Sequence, residues 1–404
     1  MVYSLKNIPE YYIRPVSPSP LRWFIALAIM VSGSVILMMI FGRHIESQSF
    51  WLIALGVPAT LWSAVVGGRL TIWMLKDMKA NGFDKCREAW ILSETRRARR
   101  ALQILDVAFT TGHLAERQSD VANELLNNTR LITAQSNWLG SKGMRMSRIA
   151  AHPNDTPSSL ITRLFEQLIE KLSLRLTLCS DKTSLSVFFD ISSIVPRSEV
   201  LRLWEKAWAE SEMPFPIEYL GGAGPGVIDN WLNIHFKESA MLLVVALQVA
   251  PTNADNSAEA GVTLLFGNRL TQETLPPLAL LHRPDPSSVD GLESGMRMAA
   301  YNVPIKDGIV RHLWLSGLND QQHAQVVVHQ KKSPAQAVEG DSVINLDSAM
   351  GHAGAAAPWL AIAAATEIAQ RTQSPQMIIC GDITQDVLWS MFVTPMASRK
   401  EMDT

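Results

Sequence analysis

The stretch from Val343 to Ala365 (VINLDSAMGHAGAAAPWLAIAAA) contains the residue best suited to acid–base chemistry, His352. An apolar segment meets a Gly-His pair, and an alanine-rich segment follows directly. Because histidine exchanges protons near neutral pH, His352 could act as a catalytic base. A lone histidine beside an apolar helix is more often structural, and catalysis would need a nucleophile nearby. Both interpretations stay open from these residues alone.

The cysteines add little to a reactive centre. Cys86, Cys179 and Cys380 are far apart in the chain, and none forms a Cys-x-x-Cys pair. This spacing is not typical of a metal site or a disulfide framework, so we expect three reduced, buried thiols in a cytosolic domain, and no cofactor. The formal net charge of −2 gives no general case for nucleic-acid binding.

Two apolar stretches near the N-terminus predict membrane-spanning helices. The first, 23–41, is uncharged and covers about 28 Å at about 1.5 Å per residue, close to the thickness of the hydrocarbon core. The second, 47–72, is interrupted only by Arg69. Since backbone groups in lipid must be satisfied within each helix, the short connection GRHIE predicts an antiparallel hairpin. Residues 1–80 are therefore assigned to a tail and this hairpin, and residues 81–404 to a cytosolic domain.

Basic residues flank the hairpin on one side. Lys6, Arg14 and Arg22 precede the first stretch, and further lysines and arginines follow the second, whereas the connection holds only Arg43 beside Glu46. The positive-inside rule then predicts that both termini and the main domain are cytosolic. A cleaved signal peptide is the disfavoured alternative, because the first stretch begins after twenty-two residues and no small-residue cleavage site precedes the second.

Strand-like and helical patterns alternate in the rest of the chain, which favours a layered α/β domain. Residues 184–192 predict a strand and residues 199–210 a helix. The continuous apolar runs 239–251 and 261–270 are typical of two neighbouring central strands. The glycine-rich segment GGAGPG (221–226) lacks the preceding strand and the lysine of a phosphate-binding loop, so we expect a turn.

The segment NLDSAMGHAGAAAP (345–358) resembles the β-ketoacyl synthase pattern N-x-K-S-x-x-G-H-x-x-G-A-A-G, which belongs to the thiolase fold. MLLVVALQVAP and SAEAGVTLLFGNRL resemble the two buried strands and the turn that precede this pattern in the synthases. The resemblance covers roughly 239–395. It implies a thiolase-like layered α/β domain, preceded here by a two-helix transmembrane hairpin.

Residue by residue, the same resemblance implies that the chemistry has been lost. His352 matches a histidine that polarises the substrate carbonyl, but Asp347 replaces the synthase lysine and puts an anion where negative charge would develop. WLSGLNDQQ (314–322) lacks the second synthase histidine, and PIEYLGGAGPGV (216–227) has neither Cys nor Ser where the nucleophile would lie. His352 and Asp347 are therefore expected to be vestigial, and the chain is expected not to be an enzyme.

A non-catalytic thiolase-like domain also resembles the adaptor proteins encoded with type VI secretion lipase effectors. That resemblance implies an adaptor or chaperone at the bacterial inner membrane, which binds an effector protein such as a phospholipase and hands it to the secretion spike protein. Trp204, Trp208 and Trp231 are expected to be exposed and are candidate contact residues, although such aromatic pairs are more often core. Two alternatives stay open: an immunity protein that neutralises a secreted toxin, and a residual acyl-CoA-binding protein or acyltransferase.

Overall fold

The computed structural model describes residues 8–41, 47–113, 117–178, 184–213, 215–268, 270–271, 275–303, 310–382 and 386–396. The chain divides into two compact units, one ending at Arg96 and the other beginning at Arg97. The sequence analysis placed this boundary after residue 80. The two boundaries differ because the second helix of the first unit continues without a break to Ala98.

The first unit contains two helices, α1 (Pro20–Phe41) and α2 (Ser47–Ala98). Both are long and apolar enough, by length and composition, to cross a membrane, and they are a possible membrane hairpin. None of the described residues of α1 is buried. Their large apolar side chains, such as Ile29 and Leu37, are 67% and 61% exposed, which suits contact with lipid.

An extended segment before α1 runs along the second half of α2. Trp73 Nε1 donates a hydrogen bond to the carbonyl of Pro15 (3.3 Å), and the amide of Tyr12 donates to Asp84 (3.2 Å). Arg87 lies with its guanidinium 4.0 Å from the ring centroid of Tyr11, a cation–π contact. If the hairpin crosses a bilayer, these contacts put the N-terminal segment and the second half of α2 on the same side.

The second unit is built on a large mixed sheet, a three-stranded sheet and helices on both faces of the large one. Its strands are β1 (Ala101–Thr110), β2 (Thr133–Gln135), β3 (Met144–Ser147), β4 (Ser184–Ser193), β5 (Ile217–Leu220), β6 (Ala240–Val249), β7 (Ser257–Ala258), β8 (Ala260–Gly267), β9 (Ala279–His282), β10 (Asp285–Ser287), β11 (His312–Ser316), β12 (Val343–Asn345), β13 (Gln376–Asp382) and β14 (Val387–Pro395). Its helices are α3 (Gln118–Leu126), α4 (Pro157–Leu176), α5 (Arg197–Glu210), α6 (Gly226–Ile234), α7 (Leu292–Tyr301), α8 (Asp320–His329), α9 (Leu346–Met350) and α10 (Ala357–Thr372).

The strand order of the large sheet shows an internal repeat. The order is β12-β11-β13-β14-β9-β1-β8-β6-β4-β5, with β10 paired to β14. On both sides of the β9–β1 junction, the strands follow the same pattern of two antiparallel pairings and then two parallel pairings. The two halves are therefore two copies of one arrangement, related by an approximate twofold axis. The sequence shows no such repeat by eye.

Helix α10 forms the central layer of this unit. It contacts β1 and β8 of the first half and β9, β11, β13 and β14 of the second. Residues 359–365 are 0% exposed, because alanine lets the helix lie close to the strands of both halves. On the other face of the first half, α4 and α5 cover β4 and β6 with a second apolar cluster.

Most of the predicted elements are confirmed. The strand 184–192 is β4, the helix 199–210 is α5, and the two apolar runs are β6 and β8, which pair with each other. Between β1 and β3 the chain forms α3, which ends at Leu126, and then β2. IEYL forms an edge strand, β5, despite the neighbouring prolines, and GGAGPG is an irregular turn before α6.

The expectation that the three tryptophans are exposed is wrong. Trp204, Trp208 and Trp231 are only 0%, 8% and 2% exposed. Trp204 packs edge-on against Phe165 of α4 and stacks on Trp208 at a centroid distance of 5.6 Å. The i,i+4 pair thus forms the inner face of α5, and Trp231 belongs to the core around α10. As buried residues they stabilise the fold and offer no contact surface.

The cysteine predictions have mixed outcomes. Cys380 is buried in β13, as expected, but Cys86 is exposed on α2 in the first unit. The expectation of three buried thiols is therefore wrong for Cys86, because α2 extends beyond the predicted domain boundary. Cys179 lies outside the described residues.

The sheet ends at β12, where a side chain closes its edge. Asn128 donates its amide to the carbonyl of Val343 (3.1 Å) and accepts a hydrogen bond from the amide of Asn345 (2.9 Å). It thus pairs with the strand as a neighbouring peptide group would.

Candidate functional site

A cavity of about 650 Å³ lies in the second unit, at the carboxyl ends of β4, β6 and β11. Ligands commonly bind at this end of parallel strands. Its lining is polar and comes from both halves of the sheet. The lining residues are Ser192, Ser193, Gln248, Pro251, Thr252, Asn253, Asp255, Asn256, Ser257, Gly317, Asn319, Gln322, His352, Gly354 and Asp386. We refer to it as the polar cavity.

His352 lies in this lining. Its backbone is fixed by two hydrogen bonds, one from its amide to the carbonyl of Asn256 (2.8 Å) and one from the amide of Ala258 to its carbonyl (2.8 Å). Its side chain is 43% exposed, so the ring is open to the cavity. The ring of His352 is therefore accessible to a ligand in the cavity.

Asp347 lies behind the histidine ring. His352 Nδ1 is 3.4 Å from Asp347 Oδ1, an ion-pair distance, and in the described structure neither atom has a hydrogen-bond partner. Burial raises the pKa of the Asp347 carboxyl, whereas His352 and the backbone amides of Gly317 and Leu318 act in the opposite direction. The Leu318 amide donates to Asp347 Oδ2 at 3.1 Å, so the carboxyl also holds the turn that follows β11.

Gln248 connects the segment around His352 to the first half of the sheet. Its Nε2 donates to the carbonyls of His352 (2.6 Å) and Ala258 (2.9 Å), and its Oε1 accepts from Ser192 Oγ (2.7 Å). Ser192 Oγ in turn accepts from the amide of Ala355 (3.2 Å). The Ser192 hydroxyl is thus engaged in positioning this segment, and its proton is directed at an amide oxygen rather than at a base.

Gly354 allows this close approach. Its φ is +52°, and a Cβ at this position would lie 1.7 Å from Gln248 Oε1. A side chain is therefore excluded both by the backbone conformation and by space.

The segment where a synthase-like nucleophile would be expected is separate from the polar cavity. Residues 221–227 (GGAGPGV) lead from β5 into α6, and none of them is in the cavity lining. Asp190 holds this turn, because its Oδ2 accepts hydrogen bonds from the Gly224 amide (3.2 Å) and from Trp359 Nε1 (2.9 Å). The ring of Trp389 covers the start of α6, 3.6 Å from where a Gly226 Cβ would lie.

The described lining contains no cysteine. Cys380 belongs to the apolar core around α10. Acyl transfer requires a nucleophile beside a base and an oxyanion site, and the contact found for the His352 ring is with Asp347. Among the described residues, no group of three or more His, Cys, Asp or Glu side chains could hold a metal ion. The observed arrangement can bind a ligand through amides, hydroxyls and carboxylates.

Of the lining residues, only His352 was a candidate from the sequence. Residues 251–257 supply most of one wall of the cavity, and no site residue was predicted there. A signal was present at Gln248, which interrupts an otherwise apolar central strand near its carboxyl end. A polar residue at that position of a buried strand indicates a hydrogen-bonding role.

No protein-family model matches the chain, and no curated protein matches it. Among solved structures, it is similar to ketosynthase twelve from the bacillaene polyketide synthase of Bacillus amyloliquefaciens, with a TM-score of 0.51 and 9% identity over 74% of each chain. It is also similar to the ishigamide ketosynthase/chain length factor, with a TM-score of 0.53 and 12% identity over 74% of this chain and 100% of that one. The chain therefore has a thiolase-like α/β fold with a mixed sheet.

Proposed function

We propose that this protein is a non-catalytic, membrane-anchored member of the thiolase-like fold that binds another protein. In its finer form, the proposal is an adaptor that holds a type VI secretion effector, for instance a lipase, on the cytosolic side of a bacterial inner membrane and delivers it to the secretion spike. The coarser part rests on the geometry described above, and the finer part on the resemblance to the lipase-effector adaptors.

The observation that carries the non-catalytic part is that the residues at the expected nucleophile position do not line the cavity into which His352 opens. His352 opens into the polar cavity, whereas residues 221–227 lie outside its lining and carry no Cys or Ser. The ring of Trp389 lies against the start of α6, and Trp359 donates a hydrogen bond to Asp190, which holds the turn before this helix. A thiolase-like core without a nucleophile at this position can still bind a ligand in its cavity.

Asp347 supports the same interpretation. A lysine in the resembled synthase pattern would add positive charge near the reacting carbonyl, whereas Asp347 adds a carboxyl that holds the turn at Leu318. Asp347 thus stabilises the turn after β11, a role that suits a binding scaffold.

The first unit supports the membrane anchor. Its two helices are long and apolar enough to cross a bilayer. The hydrogen bonds of Tyr12 and Trp73 favour a hairpin with its N-terminal segment and the second half of α2 on one side. An adaptor for an envelope-spanning secretion machine would work at this place.

Affinity purification of the tagged full-length protein from native membranes, followed by mass spectrometry, tests the binding role. We expect enrichment of a lipase-like effector and of a spike protein over a control purification with an unrelated two-helix membrane protein that carries the same tag. Equal recovery of all proteins in both purifications would contradict the adaptor proposal.

A thioester-turnover assay tests the non-catalytic part separately. We expect the full-length protein and its His352→Ala variant to give the same background release of coenzyme A from octanoyl-CoA. Turnover that exceeds the background and is lost in His352→Ala would instead establish the acyltransferase alternative.

A further inference from the structure

The polar cavity has a lining that suits a positively charged group with several N–H donors. We propose that it holds a lysine or arginine side chain on an extended segment of the protein partner. This inference rests on the proposed binding function and names the chemistry by which the site would recognise its partner.

Most residues that line the cavity have polar side chains. Apart from Pro251 and two glycines, each lining residue has a hydroxyl, an amide, a carboxylate or an imidazole in its side chain. The described lining also contains no lysine or arginine that could pair with the phosphates of coenzyme A.

The charge of the lining favours a cation. Asp255 and Asp386 are exposed carboxylates in the lining. Exposed carboxylates attract ammonium or guanidinium groups, and a guanidinium can bind a carboxylate through two parallel hydrogen bonds.

The amide side chains add hydrogen-bond donors for a peptide backbone. Asn253, Asn256 and Asn319 are exposed in the lining. The oxygen of Asn319 already accepts from the Gln322 amide (2.9 Å), so its NH₂ group is the part that can donate to a ligand carbonyl. A segment of polypeptide offers backbone carbonyls to these donors and a cationic side chain to the carboxylates. A free amine offers only the cation.

The wall formed by 251–257 is held in place before a ligand arrives. Asp255 Oδ1 accepts a hydrogen bond from the Arg145 amide (3.0 Å), and the Asn256 amide donates to the Arg145 carbonyl (2.6 Å). Ser257 Oγ donates to the carbonyl of Ala254 (2.6 Å). A fixed wall reduces the entropy lost on binding. The cavity volume, about 650 Å³, lies within the range of about 300–1,000 Å³ that is usual for ligand sites.

Fluorescence anisotropy with labelled peptides tests this inference on the full-length protein in nanodiscs of neutral lipid. The probes are the peptide (Gly-Arg)₄ and the matched neutral peptide (Gly-Gln)₄. We expect the arginine peptide to bind at least tenfold more tightly. The Asp255→Asn/Asp386→Asn double variant should bind the arginine peptide at least fivefold more weakly than the wild type does.

The control is the double variant Asp290→Asn/Asp341→Asn, which removes the same charge from exposed positions outside the lining and should stay within twofold of the wild type. Equal binding of the two peptides, or an equal loss in both double variants, would overturn the inference. Displacement of the arginine peptide by spermidine at the same concentration of positive charge would overturn the assignment to a polypeptide segment.

The outcomes also separate this inference from the proposed function. If the arginine peptide fails to bind while the membrane purification still recovers a partner, the partner is bound elsewhere and only the cavity assignment is wrong. If octanoyl-CoA is turned over in a manner that requires His352, the proposed non-catalytic function itself is wrong.

Discussion

At the scale of single residues, the local structure of the site depends on a few positions that do not tolerate another side chain. Gly354 is such a position, because both its φ of +52° and the nearness of Gln248 exclude a side chain. Asp347 is another, since one carboxyl contacts His352 and also holds the turn at Leu318. Changes at these residues should alter stability in ways that can be separated from effects on binding.

Gly354→Ala should destabilise the protein by about 2–4 kcal/mol, because the new Cβ would meet Gln248 Oε1 and the residue would have to keep a positive φ. Urea unfolding followed by tryptophan fluorescence measures this loss. Gly340→Ala is the matched control, since nothing lies within 4 Å of its Cβ position, and it should change the free energy of unfolding by less than about 0.5 kcal/mol. A similar effect of both variants would contradict the contact with Gln248.

Asp106 should make stability depend on pH. Burial in β1 raises the pKa of its carboxyl to about 6, against the lowering effects of the Val107 backbone hydrogen bond and of Arg175. Because the folded-state pKa is above the unfolded value of 3.8, the carboxyl destabilises the folded state progressively as the pH rises through this range. The advantage of Asp106→Asn over the wild type should therefore grow by about 2 kcal/mol between about pH 4.5 and 7.5.

Urea unfolding of both proteins at the two pH values measures this difference. Asp341→Asn, a change at an exposed carboxyl, serves as the control and should show no such growth. If the difference between Asp106→Asn and the wild type is the same at both pH values, the raised pKa of Asp106 is refuted.

At the scale of secondary-structure elements, the sheet and the helices that cover it determine which residues meet. The i,i+4 tryptophans of α5 are an example, because the same spacing is compatible with a core stripe or with a binding surface. The packing of α5 on α4 decides in favour of the core.

Trp204→Ala should cost about 3–5 kcal/mol of unfolding free energy, since the side chain is completely buried against Phe165, Phe189 and Trp208. Thermal and urea unfolding give this value. Leu174→Ala on the neighbouring helix α4 is the control, because Leu174 is 73% exposed and its truncation should have little effect. Comparable losses in both variants would mean that α5 does not pack as described.

Much of the element pattern could be predicted from the sequence, and the failures have physical causes. The central strands β6 and β8 were predicted because both of their faces are buried, which requires continuous apolar runs. The edge strand β5 was harder to predict because it is four residues long and follows two prolines. The polar cavity could not be predicted, since its walls come from residues far apart in sequence, such as Ser192, Asn253 and Asn319.

At the scale of the whole molecule, the chain combines a possible membrane hairpin with a thiolase-like domain built from two similar halves. The proposed orientation puts the exposed thiol of Cys86 on the cytosolic side, and it puts the connection between α1 and α2 on the opposite side. Cysteine labelling can test on which side of the membrane Cys86 and the connection between α1 and α2 lie.

In spheroplasts that carry the Cys179→Ser variant, a membrane-impermeant maleimide should leave Cys86 unlabelled until the membrane is permeabilised, and the signal should be lost in Cys86→Ser/Cys179→Ser. A cysteine introduced by Arg43→Cys in a Cys86→Ser background should be labelled in intact spheroplasts. Labelling of Cys86 without permeabilisation would reverse the orientation and exclude a cytosolic thiolase-like domain.

The side chain of Asn128 affects whether another chain can pair with the edge strand β12. By pairing with both Val343 and Asn345, it occupies the hydrogen-bonding positions that another polypeptide would need in order to extend the sheet at β12. Two copies of the chain are therefore less able to join edge to edge at β12 than they would be if these two backbone groups were unpaired.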